Sequence, residues 1–283
     1  MYQFPIGVML DSFRTETKQA IEKAAAVGAK GLQMYAIKGQ YAPENLSVAR
    51  RRELLDIVKS HGMVFSALCG DLGMGFGDAK KNPQLIEKSK RILDLAKDLE
   101  TDVVTTHIGV VPQNEHHPRY QIMQEACGEL SRYADSVEAH FAIETGPETA
   151  PVLKSFLDSL GSRGVAVNLD PANLVMVTGD DPVQAVYQLK DYIVHTHAKD
   201  GIKLLDEDPE IVYGIIDDEK MVSGTARREV PLGEGSVPFR EYLKALENIG
   251  YTGFLTIERE VGEEPEKDIS LAADFLREMM QKS

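Results

Sequence analysis

Short apolar runs rich in Val, Ile and Phe recur along the chain, at Ile6 to Leu10, Gly31 to Tyr35, Val64 to Leu68, Val103 to His107, Phe141 to Glu144, Val165 to Asp170, Ile193 to His197 and Phe254 to Glu258. The stretches between them carry apolar residues at helical spacing. In Pro83 to Leu99, for example, Leu85, Ile86, Ile92, Leu93, Leu95, Ala96 and Leu99 form one stripe. Several such stretches end at a glycine that opens the next strand, as in "VGAKG" and "NIGYTGF", which is helix-stop chemistry. Eight βα units in 283 residues predict an α/β protein, a single-domain (β/α)8 barrel spanning residues 1–283. A doubly wound open sheet fits less well. No G-x-G-x-x-G follows the first strand, and "GDLGMGFG" (70–77), behind the third, has the wrong spacing and reads as a mobile loop. The segment from about 201 to 230 is long for a βα connection and is expected to be a lid, with a short hairpin around Tyr213 to Ile216.

Side chains alternate along a strand, and in a closed barrel one set faces the lumen. On the seventh strand, in "YIVHTHAKDG", Ile193, His195, His197 and Lys199 are expected to share that face. On the eighth, Thr256 and Glu258 oppose Leu255 and Ile257; on the sixth, Ala166, Asn168 and Asp170 oppose the aliphatics; on the fifth, Ala142 and Glu144 do so. The aliphatic register packs on the helices, so the polar one enters the lumen. Four strands then end in inward Glu144, Asp170, His197 and Glu258, and the fourth strand ends in His107. Barrel sites lie at those strand ends. Three carboxylates in one lumen need a compensating cation. One divalent metal ion supplies it, and the mixed oxygen and nitrogen sphere suits Mn²⁺, Mg²⁺, Co²⁺ or Zn²⁺. His195, one layer deeper, is expected to hydrogen-bond beneath the site rather than ligate.

The motifs "FAIETGPE", "VAVNLDPANL", "VHTHAKD", "PLGEGSVPF" and "GYTGFLTIERE" make the chain resemble the xylose isomerase-like TIM-barrel superfamily of sugar phosphate isomerases and epimerases, over essentially its whole length. The resemblance implies Glu144, Asp170, His197 and Glu258 as metal ligands, with Glu144 and Glu258 as the acid/base pair on opposite faces of a sugar. It implies His107 as a site-lining residue, and Lys199 and Arg228 as substrate contacts. Asn173 stands where several relatives have a histidine and is retained as a substrate-contact candidate. Endonuclease IV belongs to the same superfamily, but its second-metal histidine would fall at Asn173, and its Asp-x-His on Arg227 and Glu229. A homodimer is an expectation from the resemblance alone.

The net charge of −14 argues against a nucleic-acid partner. The N-terminal "MYQFPIGVML" has no basic leader, and no stretch approaches the roughly 20 apolar residues of a membrane span, so a cytoplasmic protein is expected. Cys69 and Cys127 are widely separated and read as buried thiols. His116 and His117 read as a solvated loop, and Tyr35, Phe76 and Tyr213 as packing residues. The glycines of "PLGEG" allow either backbone approach to a phosphate or a tight turn. The expected chemistry is metal-dependent isomerisation or epimerisation of a sugar or sugar phosphate through an enediolate, moved by carboxylate acid/base groups. The alternatives are a dehydratase of a keto-sugar or keto-inositol on the same scaffold, and a non-catalytic carbohydrate-binding barrel that keeps its metal.

Overall fold

The computed structural model describes residues 3–216 and 226–281. Eight parallel strands close into a barrel: β1 (Ile6–Met9), β2 (Gly31–Tyr35), β3 (Val64–Cys69), β4 (Val103–Thr106), β5 (His140–Glu144), β6 (Val165–Leu169), β7 (Ile193–Ala198) and β10 (Leu255–Ile257). They follow one another around the ring in chain order, and β10 pairs with β1 to complete it. Closure leaves no unpaired strand edge. Each barrel strand is followed by a helix, among them Asn82–Asp98, whose predicted stripe from Leu85 to Leu99 is buried against the sheet. No described helix is long and apolar enough to cross a membrane.

The outward register of the strands, including Leu32, Phe141, Ile143, Val167 and Leu169, joins the helices in the main core. Inside the barrel, Ala67, Val103, Ala142 and Ala166 form a separate small cluster with Val194 against it. Small side chains fill the narrow lumen, and polar residues occupy the layers above. Val194 corrects the expectation from strict alternation. Val167 pairs with Ile193 but Asn168 pairs with His195, so β7 carries one extra residue at that point. The bulge turns Ile193 out to the main core and leaves His195 and His197 facing inward.

The segment after β7 also differs from expectation. Its hairpin is formed by β8 (Asp200–Lys203) and β9 (Arg227–Val230), paired antiparallel. Tyr213 to Ile216 instead form the turn that follows a short helical stretch, Pro209–Val212, capped by Asp208. Part of the expected lid, residues 217–225, lies outside the described residues. The glycine-rich loop at 70–77 is anchored, since the Phe76 amide donates to the Ile108 carbonyl and its ring is buried.

Candidate metal centre and substrate cavity

The strand ends bring together the four residues expected from the register. Glu144, Asp170, His197 and Glu258 are all buried, and one ligand atom from each lies within 4.8 Å of the others. His197 Nδ1 stands 3.5 Å from Glu144 Oε1, 3.5 Å from Asp170 Oδ2 and 3.2 Å from Glu258 Oε2. Two of these converging atoms, His197 Nδ1 and Asp170 Oδ2, are buried without a hydrogen-bond partner. Buried polar atoms are seldom left so, because each costs about 1–3 kcal/mol. A cation among the four residues would satisfy both, and the donor set of three carboxylates and one imidazole fits a hard or borderline divalent ion.

The layer below orients these groups. Gln33 donates through Nε2 to Thr105 Oγ1, which leaves its Oε1 to accept from His197 Nε2 at 2.9 Å. With Nε2 turned to Gln33, Nδ1 is the ring nitrogen that faces the cluster. Asn168 donates to Glu144 Oε2 at 3.0 Å, and its Oδ1 pairs with His195 Nδ1 at 2.9 Å. His195 Nε2 meets the Thr256 hydroxyl. Burial, with His197 adding to it, pushes the His195 imidazole down to about 3, so it sits neutral as a hydrogen-bonding link beneath the site. Replacing Gln33 with Leu frees the His197 ring and is expected to weaken Mn²⁺ binding 10- to 100-fold, read by calorimetric titration. An unchanged affinity would show that Gln33 does not set the ligand.

A family model for the xylose isomerase-like TIM barrel matches residues 21–279. The chain belongs to that family. Solved structures similar to it include a xylose isomerase domain protein from Planctomyces limnophilus, 23% identical with a TM-score of 0.79 over 99% of this chain and 97% of the other. The probable 3-DHS dehydratase AsbF of Bacillus anthracis is 20% identical, with a TM-score of 0.73 over 97% and 99%. D-psicose 3-epimerase from Clostridium cellulolyticum is 17% identical, with a TM-score of 0.73 over 98% and 99%. At these identities the likeness is one of fold.

On the family's barrel, a cavity of about 450 Å³ opens over the cluster. Glu144, Glu258 and Lys199 line it, whereas Asp170 and His197 lie in the floor beneath. Among the substrate-contact candidates, His107 Nε2 is 3.5 Å from Glu144 Oε1, and Asn173 Nδ2 donates to the same oxygen at 3.1 Å. Lys199 is buried, with Nζ 2.9 Å from Glu258 Oε2 and 2.6 Å from Glu260 Oε2. Arg228 is exposed and reaches only the cavity wall, beside Arg227, which pairs with Glu207. Burial acts to raise both catalytic candidates, yet their neighbours outweigh it. His107 and His197 hold Glu144 below the usual carboxylate range, and His197 with Lys199 holds Glu258 well below it.

Tyr35 and Tyr213 line the cavity, while Phe76 belongs to the core. Gly146, at φ +145°, makes room for Tyr213: a Cβ there would meet the tyrosine hydroxyl at 2.8 Å and Asn173 Cβ at 2.7 Å. Cys69 and Asp71 line the wall as well. Gln33 and Asn168 carry a signal in the sequence, a polar side chain on the lumen register of an apolar strand. Asp71 and Glu260 have none, because loops place them. His116 is exposed, and His117 caps the Pro118–Ser136 helix through Nδ1.

Proposed function

We propose that this protein is a divalent-metal-dependent isomerase or epimerase of an unphosphorylated sugar. The observation that carries the reading is the convergence of Glu144, Asp170, His197 and Glu258 around two orphaned buried ligand atoms, with only the two glutamates of that set facing the cavity. A bound cation would supply Lewis acidity to a substrate carbonyl and stabilise the enediolate that follows proton loss. The glutamates are the proton carriers. One takes the proton from the carbon beside the carbonyl, and the other returns a proton to the opposite face, giving the epimer, or to the next carbon, giving the isomer. Glu144, held down less than Glu258, is the better base; Glu258, kept ionised beside Lys199, is assigned the return by passing on a proton of the Lys199 ammonium. The fold shared with D-psicose 3-epimerase agrees with this chemistry.

Asp200 leaves no room for a substrate phosphate on the loop after β7. TIM barrels often take phosphate on backbone amides after the seventh and eighth barrel strands. Here the amides of Gly201, Gly233, Gly235 and Val237 all donate to the Asp200 carboxylate at 2.9 to 3.1 Å. A side chain of this protein thus already fills the anion position that "PLGEG" suggested.

Proton NMR of free and phosphorylated ketoses in D₂O with the Mn²⁺-loaded protein tests the reading. Deuterium is expected at a carbon beside the carbonyl of a free ketose, together with signals of an epimer or aldose. Signals of an unsaturated product would move the protein to the dehydratase reading, the activity named for the probable 3-DHS dehydratase of the same fold. Absence of exchange with Mn²⁺ bound would overturn enediolate chemistry on these ketoses.

A further inference from the structure

A second compartment of about 470 Å³ adjoins the cavity over the metal cluster and shares Asp71, His107 and Tyr213 with it. His107 and Tyr213 meet edge to face, their ring centres 5.4 Å apart, and form the partition between the two. One compartment of this size is enough for a small ligand, so the second is room that a single monosaccharide does not use. We propose that it is a subsite for a second, uncharged sugar ring, so that the substrate is a glycosylated keto-sugar rather than a free one. This inference rests on the function proposed above and extends it to the substrate's distal part.

The chemistry of the walls selects a neutral polyol over an anion. Two cations line the compartment, and each already faces a carboxylate: Arg119 is paired with Glu210, and Lys81 lies 3.8 Å from Asp78. With Asp71 added, the described residues of the walls offer a phosphate no uncommitted positive charge. They do offer hydrogen bonds of the kind hydroxyls make. The Asp71 carboxylate uses one oxygen on the Gly73 amide and keeps the other to accept from a hydroxyl. Met74, Ile108, Val110, Met123 and Ile215 supply apolar surface for the C–H faces of a ring. Gly75 and Gly109 bring two loops together here. A Cβ on Gly75, at φ +59°, would fall 2.7 Å from the Ile108 carbonyl oxygen, so the two loops approach each other through bare backbone.

The test measures binding of D-fructose and of three glycosyl ketoses that keep the same reducing unit, lactulose, turanose and isomaltulose, to the Mn²⁺-loaded protein by calorimetry. At least one glycosyl ketose is expected to bind tenfold or more tightly than D-fructose. Lys81→Trp and Met74→Trp, both placed at exposed positions on the wall, are expected to lower that affinity ratio at least tenfold by filling the space. Binding of D-fructose with no advantage for any glycosyl ketose would overturn the subsite and leave the metal site intact. An advantage that persists in both tryptophan variants would also overturn it. Failure of D-fructose and every glycosyl ketose alike would overturn the underlying ketose reading, and the subsite with it.

Discussion

Glu144→Gln and Glu258→Gln are each expected to lower kcat by 10² to 10⁴, the range for loss of a positioned acid/base group, when measured at saturating Mn²⁺. The two should differ in what survives. Glu144 is assigned proton removal, so its replacement should abolish both deuterium exchange and product formation. Glu258 is assigned the return, passing on a proton of the Lys199 ammonium, whose Nζ donates to its Oε2 at 2.9 Å. With Gln at 258, Glu144 can still remove a proton, exchange it with solvent and put deuterium back on the same face. Exchange should then outrun product formation. The reverse pattern would exchange the two roles, and full turnover in either variant would remove that residue from the mechanism. The substitution at 144 carries a second effect: Asn168 and Asn173 donate to different oxygens of that carboxylate, so the new amide nitrogen must face one of these donors. That mismatch costs about 1–3 kcal/mol locally and is read as a lower thermal midpoint, separately from the exchange ratio.

The barrel was legible because a parallel closed sheet demands an apolar run at each strand, and each strand here has one. Observed strands end within a residue or two of the apolar runs, Val103–Thr106 against Val103 to His107 for example. The convergence of Glu144, Asp170, His197 and Glu258 was legible for a related reason: on β5, β6 and β10 the period of two runs unbroken to the strand end, so the inward residues can be counted off. On β7 the count fails at Val194, since the extra residue exists only relative to β6 and leaves no mark in the β7 sequence. His195 and His197 were still placed inward because both lie beyond the bulge. The hairpin after β7 was misplaced for a different reason. "DGIK" and "RREV" hold little β-forming signal, and what seats them is tertiary: Asp200 gathers four backbone amides, and Glu229 accepts from Arg259 and from the Glu260 amide. Asp71 reaches the cavity in the same way, by the path of a loop.

Asp170 allows the proposed metal site to be separated from the fold that carries it, through a pair of substitutions with opposite expected outcomes. Its two carboxylate oxygens have different duties. Oδ1 accepts from the amides of Ala172 and Asn173 at 2.8 and 3.0 Å and caps the turn that follows β6. Oδ2 has no hydrogen-bond partner and faces His197 Nδ1 at 3.5 Å. In Asp170→Asn the amide oxygen takes the Oδ1 position, because the opposite orientation would set an NH₂ group against two N–H donors. The cap survives, and a nitrogen with no lone pair to offer a cation replaces Oδ2. The change also removes one charge from a crowded set of carboxylates. In EDTA this variant should melt at or above the wild-type temperature. Adding Mn²⁺ at 100 times its Kd should stabilise the wild type by about 2.7 kcal/mol, or on the order of 5 °C for a chain of this size, and should leave the Asn variant unmoved. Asp170→Ala loses the cap as well, at about 1 kcal/mol, and should melt below the wild type even in EDTA. A Mn²⁺-dependent rise retained in the Asn variant would take Asp170 out of the ligand set. The orphaned Oδ2 would then need another partner, and Lys199 Nζ, 3.8 Å away, is the neighbouring cation placed to provide it.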